Sequence, residues 1–241
     1  MTSNQFFIKK IPETGRRFFI EGQEHHHLCR VARAKPGQHI WLTDGHNRKL
    51  LVEIEDIDSS KAWLRPLDTV EEKISVRIIL GLGLTKPATF DFIVQKATEL
   101  GVSEIQPLIT ERSQSLPADE KLKRRQERWG RIAKEALKQC KGAILPEIKP
   151  PVELRKAARA VSTVKKIYLD ESSRVYFRDI LEGEKADAIY LMIGPEGGWT
   201  QDEIADLRAE GFKGLSLGGR ILKTETAALA AISLISHFWN W

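Results

Sequence analysis

Two rhythms of apolar and polar positions divide the chain. Up to about residue 70 the apolar residues come in short runs: Arg17-Phe18-Phe19-Ile20, His39-Ile40-Trp41-Leu42-Thr43, Leu50-Leu51-Val52-Glu53-Ile54 and Ala62-Trp63-Leu64-Arg65. Asp44-Gly45 after the second run is a turn dipeptide, and the set predicts short strands in a small barrel or compact sheet. One helical segment, about 24–33, interrupts them, and Pro36-Gly37 ends it. The polar and acidic stretch from Pro66 to Lys73 reads as a linker. The expected domains are therefore 1–70 and 74–241.

From Ser75 onward strands alternate with helices. Strands are expected at 76–84, 105–109, 166–170, 188–193 and 215–217. Thr89 caps a helix over 90–100 whose Phe90, Ile93, Val94 and Ala97 share one face, with Gly101 as the stop. A long helix over 119–141 stripes Trp129, Ile132, Ala133, Ala136, Leu137 and Cys140, and shorter helices follow at 152–161 and 175–181. Thr200-Gln201-Asp202-Glu203 is a capping box for a helix ending near Gly211. The last helix, 224–238, is apolar nearly all round, with Ala227, Ala228, Ala230, Ala231, Phe238 and Trp239 and with Trp241 just beyond, so it belongs in a core or at a subunit interface. This alternation predicts a parallel sheet covered on both faces.

Two junctions stand out. Ile193-Gly194-Pro195-Glu196-Gly197-Gly198 and Leu217-Gly218-Gly219-Arg220-Ile221-Leu222-Lys223-Thr224-Glu225-Thr226-Ala227 each lead from a strand into a helix. In open α/β sheets such loops, at the carboxyl ends of strands, are where ligands bind. Glycines there let main chain approach a ligand closely, so the pair predicts one pocket lined by backbone.

Composition narrows the ligand. The chain has 241 residues, 41% hydrophobic and 29% charged, within the range of soluble globular proteins. Cys29 and Cys140 alone make no disulfide framework and point to a reducing compartment; with no run of about 18 apolar residues and no apolar leader after Met1, a cytoplasmic location is expected. The net charge is +5, yet the stretch from Glu120 to Lys141 holds nine Lys or Arg against three Glu. That density favours contact with phosphates, and Lys123, Arg124, Arg125 and Arg128 are its candidates, extended by Arg16, Arg17, Arg30 and Arg33 in the first domain. Gly81-Leu82-Gly83-Leu84 lacks the third glycine of a dinucleotide fingerprint, because Lys86 occupies that place, and reads as plain strand. His25-His26-His27 with Cys29 lacks metal-ligand spacing, so no metal is expected.

The two glycine motifs resemble the RsmE-type 16S ribosomal RNA (uridine-N3) methyltransferases of the SPOUT superfamily. Lys96-Ala97-Thr98-Glu99-Leu100-Gly101-Val102, Glu111-Arg112-Ser113, Glu135-Ala136-Leu137-Lys138-Gln139 and, near the start, Arg17-Phe18-Phe19 and Arg30-Val31-Ala32-Arg33 extend the likeness over nearly the whole chain. Lys223 stands where that family more often has Arg. The resemblance implies a small N-terminal PUA-like β-barrel domain, an α/β domain with a SPOUT-type parallel sheet and C-terminal trefoil knot, and a homodimer. It also implies S-adenosylmethionine as cofactor, contacted by Leu169, Gly194, Pro195, Glu196, Gly197, Gly198, Leu217, Gly218, Ile221 and Leu222, and 16S ribosomal RNA or the small ribosomal subunit as partner.

For methylation at uridine N3 a proton must leave and an anion must be stabilised. Arg112, Arg220 and Lys223 are the candidate cations, and Glu196 or Glu225 the candidate proton acceptor. A non-catalytic RNA-binding protein, or a methyltransferase for another base, remains the alternative.

Overall fold

The computed structural model describes residues 4–12, 15–115, 119–161, 165–181 and 186–239; Trp241 and the first three residues lie outside them. The chain divides into two compact units, one running up to Lys73 together with Lys134–Leu145, the other Ile74–Ala133 with the chain from Pro146 on.

In the first unit β1 (Gln5–Phe7), β2 (Phe18–Glu21), β3 (His39–Thr43), β4 (Arg48–Ile57) and β5 (Lys61–Glu71) form a sheet in the order β1-β3-β4-β5-β2. β1 was not foreseen: it begins with a buried Gln5 and pairs in parallel with β3. Pro66 to Glu71, expected as linker, instead prolongs β5 along β4. Pro66 sits beside a register shift at Leu51/Val52, where a residue without an N–H is tolerated. The inward positions Phe6, Ile20, Leu28, Ile40, Leu42, Val52, Ile54 and Leu64 close one core. The segment Lys134–Leu145 joins this unit through main-chain and side-chain bonds. Gln5 Nε2 donates to Gly142 O at 2.8 Å, Asn47 N to Ala143 O and Leu145 N to Gly45 O, both at 3.0 Å. The expected helix at 24–33 is α1 (Gly22–His26) continued by a π-helical turn over His27–Val31, and Arg33 then turns the chain at φ 49°.

The second unit has β6 (Arg77–Gly83), α2 (Pro87–Glu99), β7 (Glu104–Ile109), α3 (Asp119–Cys140, whose last turns belong to the first unit), β8 (Glu147–Ile148) and β9 (Val152–Glu153). It continues with α4 (Leu154–Arg159), β10 (Lys165–Leu169), α5 (Phe177–Leu181), β11 (Ala188–Ile193), α6 (Gln201–Ala209), β12 (Lys213–Leu215) and α7 (Thr224–Trp239). All its pairings are parallel, in the order β12-β10-β11-β6-β7-β8 with β9 also on β7. β6 and β11 are buried almost throughout, as strands covered on both faces must be. β7 follows β6 to one side, whereas β10, β11 and β12 lie to the other, so the order reverses beside β6 and the crevice rule points to the strand ends there. One face packs Leu154, Ala158, Tyr168, Tyr190, Ile204, Leu207 and Phe212; burial pushes the Tyr190 phenol well above its ordinary pKa. On α7, Ala228, Ala231, Ile232, Ile235 and Trp239 are buried, while Phe238 is exposed.

Candidate active site at the strand ends

Within the second unit the loops after β10, β11 and β12 surround a cavity of about 500 Å³, inside the range of roughly 300–1,000 Å³ common for small-molecule sites. Most of the predicted residues line it: Leu169; Gly194, Pro195, Glu196, Gly197 and Gly198; Leu217, Ile221 and Leu222; and the charged Arg220, Lys223 and Glu225. Two do not. Gly218 stays at φ +138°, shaping the turn, with its N–H donating to Ser216 Oγ at 3.2 Å. Arg112 is turned to the loop itself, its Nη1 donating to Gly197 O at 3.0 Å and Trp199 O at 3.4 Å. It braces the wall rather than standing in the cavity.

The wall after β11 is main chain because the space behind it is full. A Cβ on Gly197 would come within 2.9 Å of Arg112 Cβ, and one on Gly194 within 3.2 Å of the Trp199 ring. At the end of β6 a Cβ on Gly83 would stand 2.6 Å from Pro195 N, a backbone atom that cannot swing aside. Gly83 is therefore in the strand that the sequence predicts, but the reason for glycine is the loop seated on it. Trp199 Nε1 donates to Leu169 O at 2.9 Å and joins this wall to the end of β10. Gly198, at φ +69°, closes the turn with its N–H on Pro195 O at 2.9 Å.

Glu196 is not a free carboxylate: its Oε1 accepts the Lys86 N–H at 3.1 Å, at the N-terminus of α2. Negative charge is favoured there by the unsatisfied N–H groups and the helix dipole. The contact also carries α2 into the site, so that Lys86 and Thr89 line the cavity. Sequence reading missed both, together with the cavity-lining Asp170, Glu171 and Ser216; the only local signal was the strand-to-helix junction at Lys86-Pro87. The carboxylate of Glu225, in the first turn of α7, has no hydrogen-bond partner among the described residues, and Glu225 lines the same cavity as Arg220 and Lys223.

The basic candidates fall into two groups. In the first unit Arg16, Arg30 and Arg33 are exposed, whereas Arg17 pairs with Glu55 at 2.8 Å and lies over the Trp63 ring at 4.6 Å. On α3, Lys123 is exposed and Arg125 half-buried, while Arg124 pairs with Glu120 at 2.8 Å and Arg128 with Asp91 at 2.7 Å. His25 Nε2 lies 3.1 Å from Asp58 O and 3.4 Å from Cys29 Sγ, and among the described residues no group of three or more His, Cys, Asp or Glu could hold a metal. No described helix is long and apolar enough to cross a membrane.

The comparisons agree with this geometry. The RNA methyltransferase domain family matches residues 72–236, and the RNA methyltransferase PUA domain family residues 20–67. The ribosomal RNA small subunit methyltransferase E of Synechocystis sp. is 33% identical over 88% of this chain and 70% of its own length, and that of Bacillus subtilis 29% identical over 97% and 96%. The structure of ribosomal RNA small subunit methyltransferase E from Neisseria gonorrhoeae bound to S-adenosyl methionine superposes with a TM-score of 0.90, at 29% identity over 99% of this chain and 98% of that one. A Legionella pneumophila methyltransferase in complex with the same cofactor gives 0.86, also at 29% identity over 98% of each chain. With a PUA-like unit, a parallel-sheet unit and a backbone-walled cavity at its strand ends, the chain belongs to the RNA methyltransferase family of the ribosomal RNA small subunit methyltransferases E.

Proposed function

We propose that the protein uses S-adenosylmethionine to methylate N3 of a specific uridine in 16S ribosomal RNA. The observation that carries this reading is the cavity itself: it lies at three strand ends, with the main chain of Gly194, Gly197 and Gly198 as one wall, and Arg220, Lys223 and Glu225 are among the residues that line it. The fit is one of chemistry and size. Main chain from Gly194 to Gly198 and from Leu215 to Leu217 offers donors and acceptors for an adenine and an amino acid, and Leu169 and Ile193 offer apolar cover. When bound there, the cofactor supplies an electrophilic methyl group.

The chain's own residues position the base and manage its charge. Uridine N3 is nucleophilic only after losing a proton, and Glu225, with no backbone N–H on its carboxylate, is the acceptor in preference to Glu196, which is held by Lys86 N–H. Arg220 and Lys223 stabilise the uracil anion. The exposed arginines of the PUA-like unit and the basic face of α3 hold RNA phosphates without reading sequence. The protein works as a homodimer, an arrangement supported by exposed Phe92, Tyr176, Ile221 and Phe238 on the second unit, and its C-terminal loops form the trefoil knot that its superfamily implies. Cytoplasmic ribosome assembly is its setting.

Labelled-methyl transfer to 16S ribosomal RNA and to small subunits, followed by nucleoside analysis, tests the reaction. The expected product is 3-methyluridine. Another methylated nucleoside would reassign the base, and binding of RNA without cofactor affinity or transfer would leave only an RNA-binding protein.

A further inference from the structure

We infer that Glu203 is a positioning residue for the cofactor-binding loop, acting through the turn that carries Arg112. The inference rests on the methyltransferase reading of the cavity. Glu203 opens α6, is 5% exposed, and does not line the cavity.

Its two oxygens do different things. Oε2 accepts the Thr200 N–H at 2.9 Å and completes the capping box, in which Thr200 Oγ1 accepts the Glu203 N–H at 3.2 Å. A capping box needs no more than that. Oε1 accepts a second N–H, that of Glu111, at 2.9 Å, reaching a turn 92 residues earlier in the chain. The next residue in that turn is Arg112, whose stem fills the space behind Gly197 and whose guanidinium holds the carbonyls of Gly197 and Trp199. From Trp199 the indole N–H continues to Leu169 O. A connected set of bonds thus runs from a carboxylate outside the cavity to the main chain of two of its walls.

Both partners of Glu203 are donors, so the site requires an acceptor at each oxygen. A glutamine has the same size but would turn its NH₂ toward one of the two N–H groups, leaving donor against donor in a buried place. Calorimetry with S-adenosylmethionine, and kcat and KM for methyl transfer, would be compared for wild type, E203Q and T200A, each checked by thermal melting. T200A weakens the cap of α6 but leaves the bond to Glu111 in place. The expected result is about tenfold weaker cofactor binding in E203Q, with its KM for cofactor raised alike and its KM for RNA unchanged. T200A stays within about threefold of wild type at a similar melting temperature to E203Q. In an R112M background E203Q should add less than about twofold, because the two act through one turn.

Equal affinities for E203Q and T200A, or full additivity with R112M, would overturn the inference and leave Glu203 a helix cap. Hydrogen exchange in the wild type needs no substitution: protection of the Glu111 amide should rise on cofactor binding, and unchanged protection counts against the proposal. Absence of cofactor binding by the wild type would instead overturn the methyltransferase reading.

Discussion

The loop after β11 and the loop after β12 face the same cavity but are built differently. The first is held from every side: Gly83 beneath Pro195, Arg112 behind Gly197, Trp199 tied to Leu169, and Glu196 tied to the start of α2. The second is tied at Ser216, which bonds to Val175, Phe177 and Gly218, and at Lys223, whose carbonyl accepts the Ala227 N–H, while the stretch between Gly218 and Lys223 has no hydrogen bond among the described residues. Arg220, Ile221, Leu222 and Lys223 are all exposed, Ile221 at 85%. A cofactor wall has to be in place before its ligand arrives, because ordering it afterwards costs affinity. A wall that meets a large, charged substrate can keep its side chains free until contact. On the proposed function, the difference in bracing separates a preformed cofactor wall after β11 from a loop after β12 whose exposed side chains, beyond its cofactor-facing Leu215 to Leu217, are completed by RNA.

The comparison breaks most visibly at Gly83. Gly83→Val places carbon against Pro195 N, so the first loop must move; cofactor binding should be lost and stability should fall by about 1–3 kcal/mol, as calorimetry and thermal melting would read. On the second loop the largest effect is on rate. Glu225→Gln should lower kcat by about 10²-fold or more while leaving cofactor affinity unchanged; a matching loss of affinity would make Glu225 part of the cofactor wall. Arg112→Met keeps the stem behind Gly197 but removes the donors to both carbonyls, and should weaken cofactor binding about tenfold with RNA affinity intact. The smallest effect is at Ile221. Ile221→Ser should change stability by less than about 0.5 kcal/mol, and sedimentation should show weaker association of two copies.

How far this contrast can be read from sequence follows from where each cause lies. The glycine runs are visible because a glycine cluster after an apolar run has a local meaning, and the capping box at Thr200 is visible because both partners lie within four residues. What Gly83 is for is not visible, since its neighbour Pro195 is supplied by the loop after a strand more than a hundred residues later. Lys86 and Thr89 enter the site because β6 pairs with β11, and Glu196 then reaches the start of α2. The hydrogen bonds of Arg112 to the carbonyls of Gly197 and Trp199 are likewise invisible in sequence, because both partners lie more than eighty residues later. The stretch after Pro66 looked like linker because it is largely polar and has no buried alternate positions; Leu67 to Glu71 are exposed on both faces of β5, yet their main chain still pairs with β4.

The order of strands also governs when the site can exist. Apart from Lys86 and Thr89, every residue lining the cavity comes from Leu169 onward, and β6 gains its neighbour β11 only after the intervening chain has been made. During synthesis, at roughly 5–20 residues per second, the first strand of the second unit must wait several seconds for that neighbour with one edge unpaired. Such distant pairings fold slowly and expose sticky edges meanwhile. The cavity is consequently completed only near the end of translation, once the chain has been made as far as the first turn of α7.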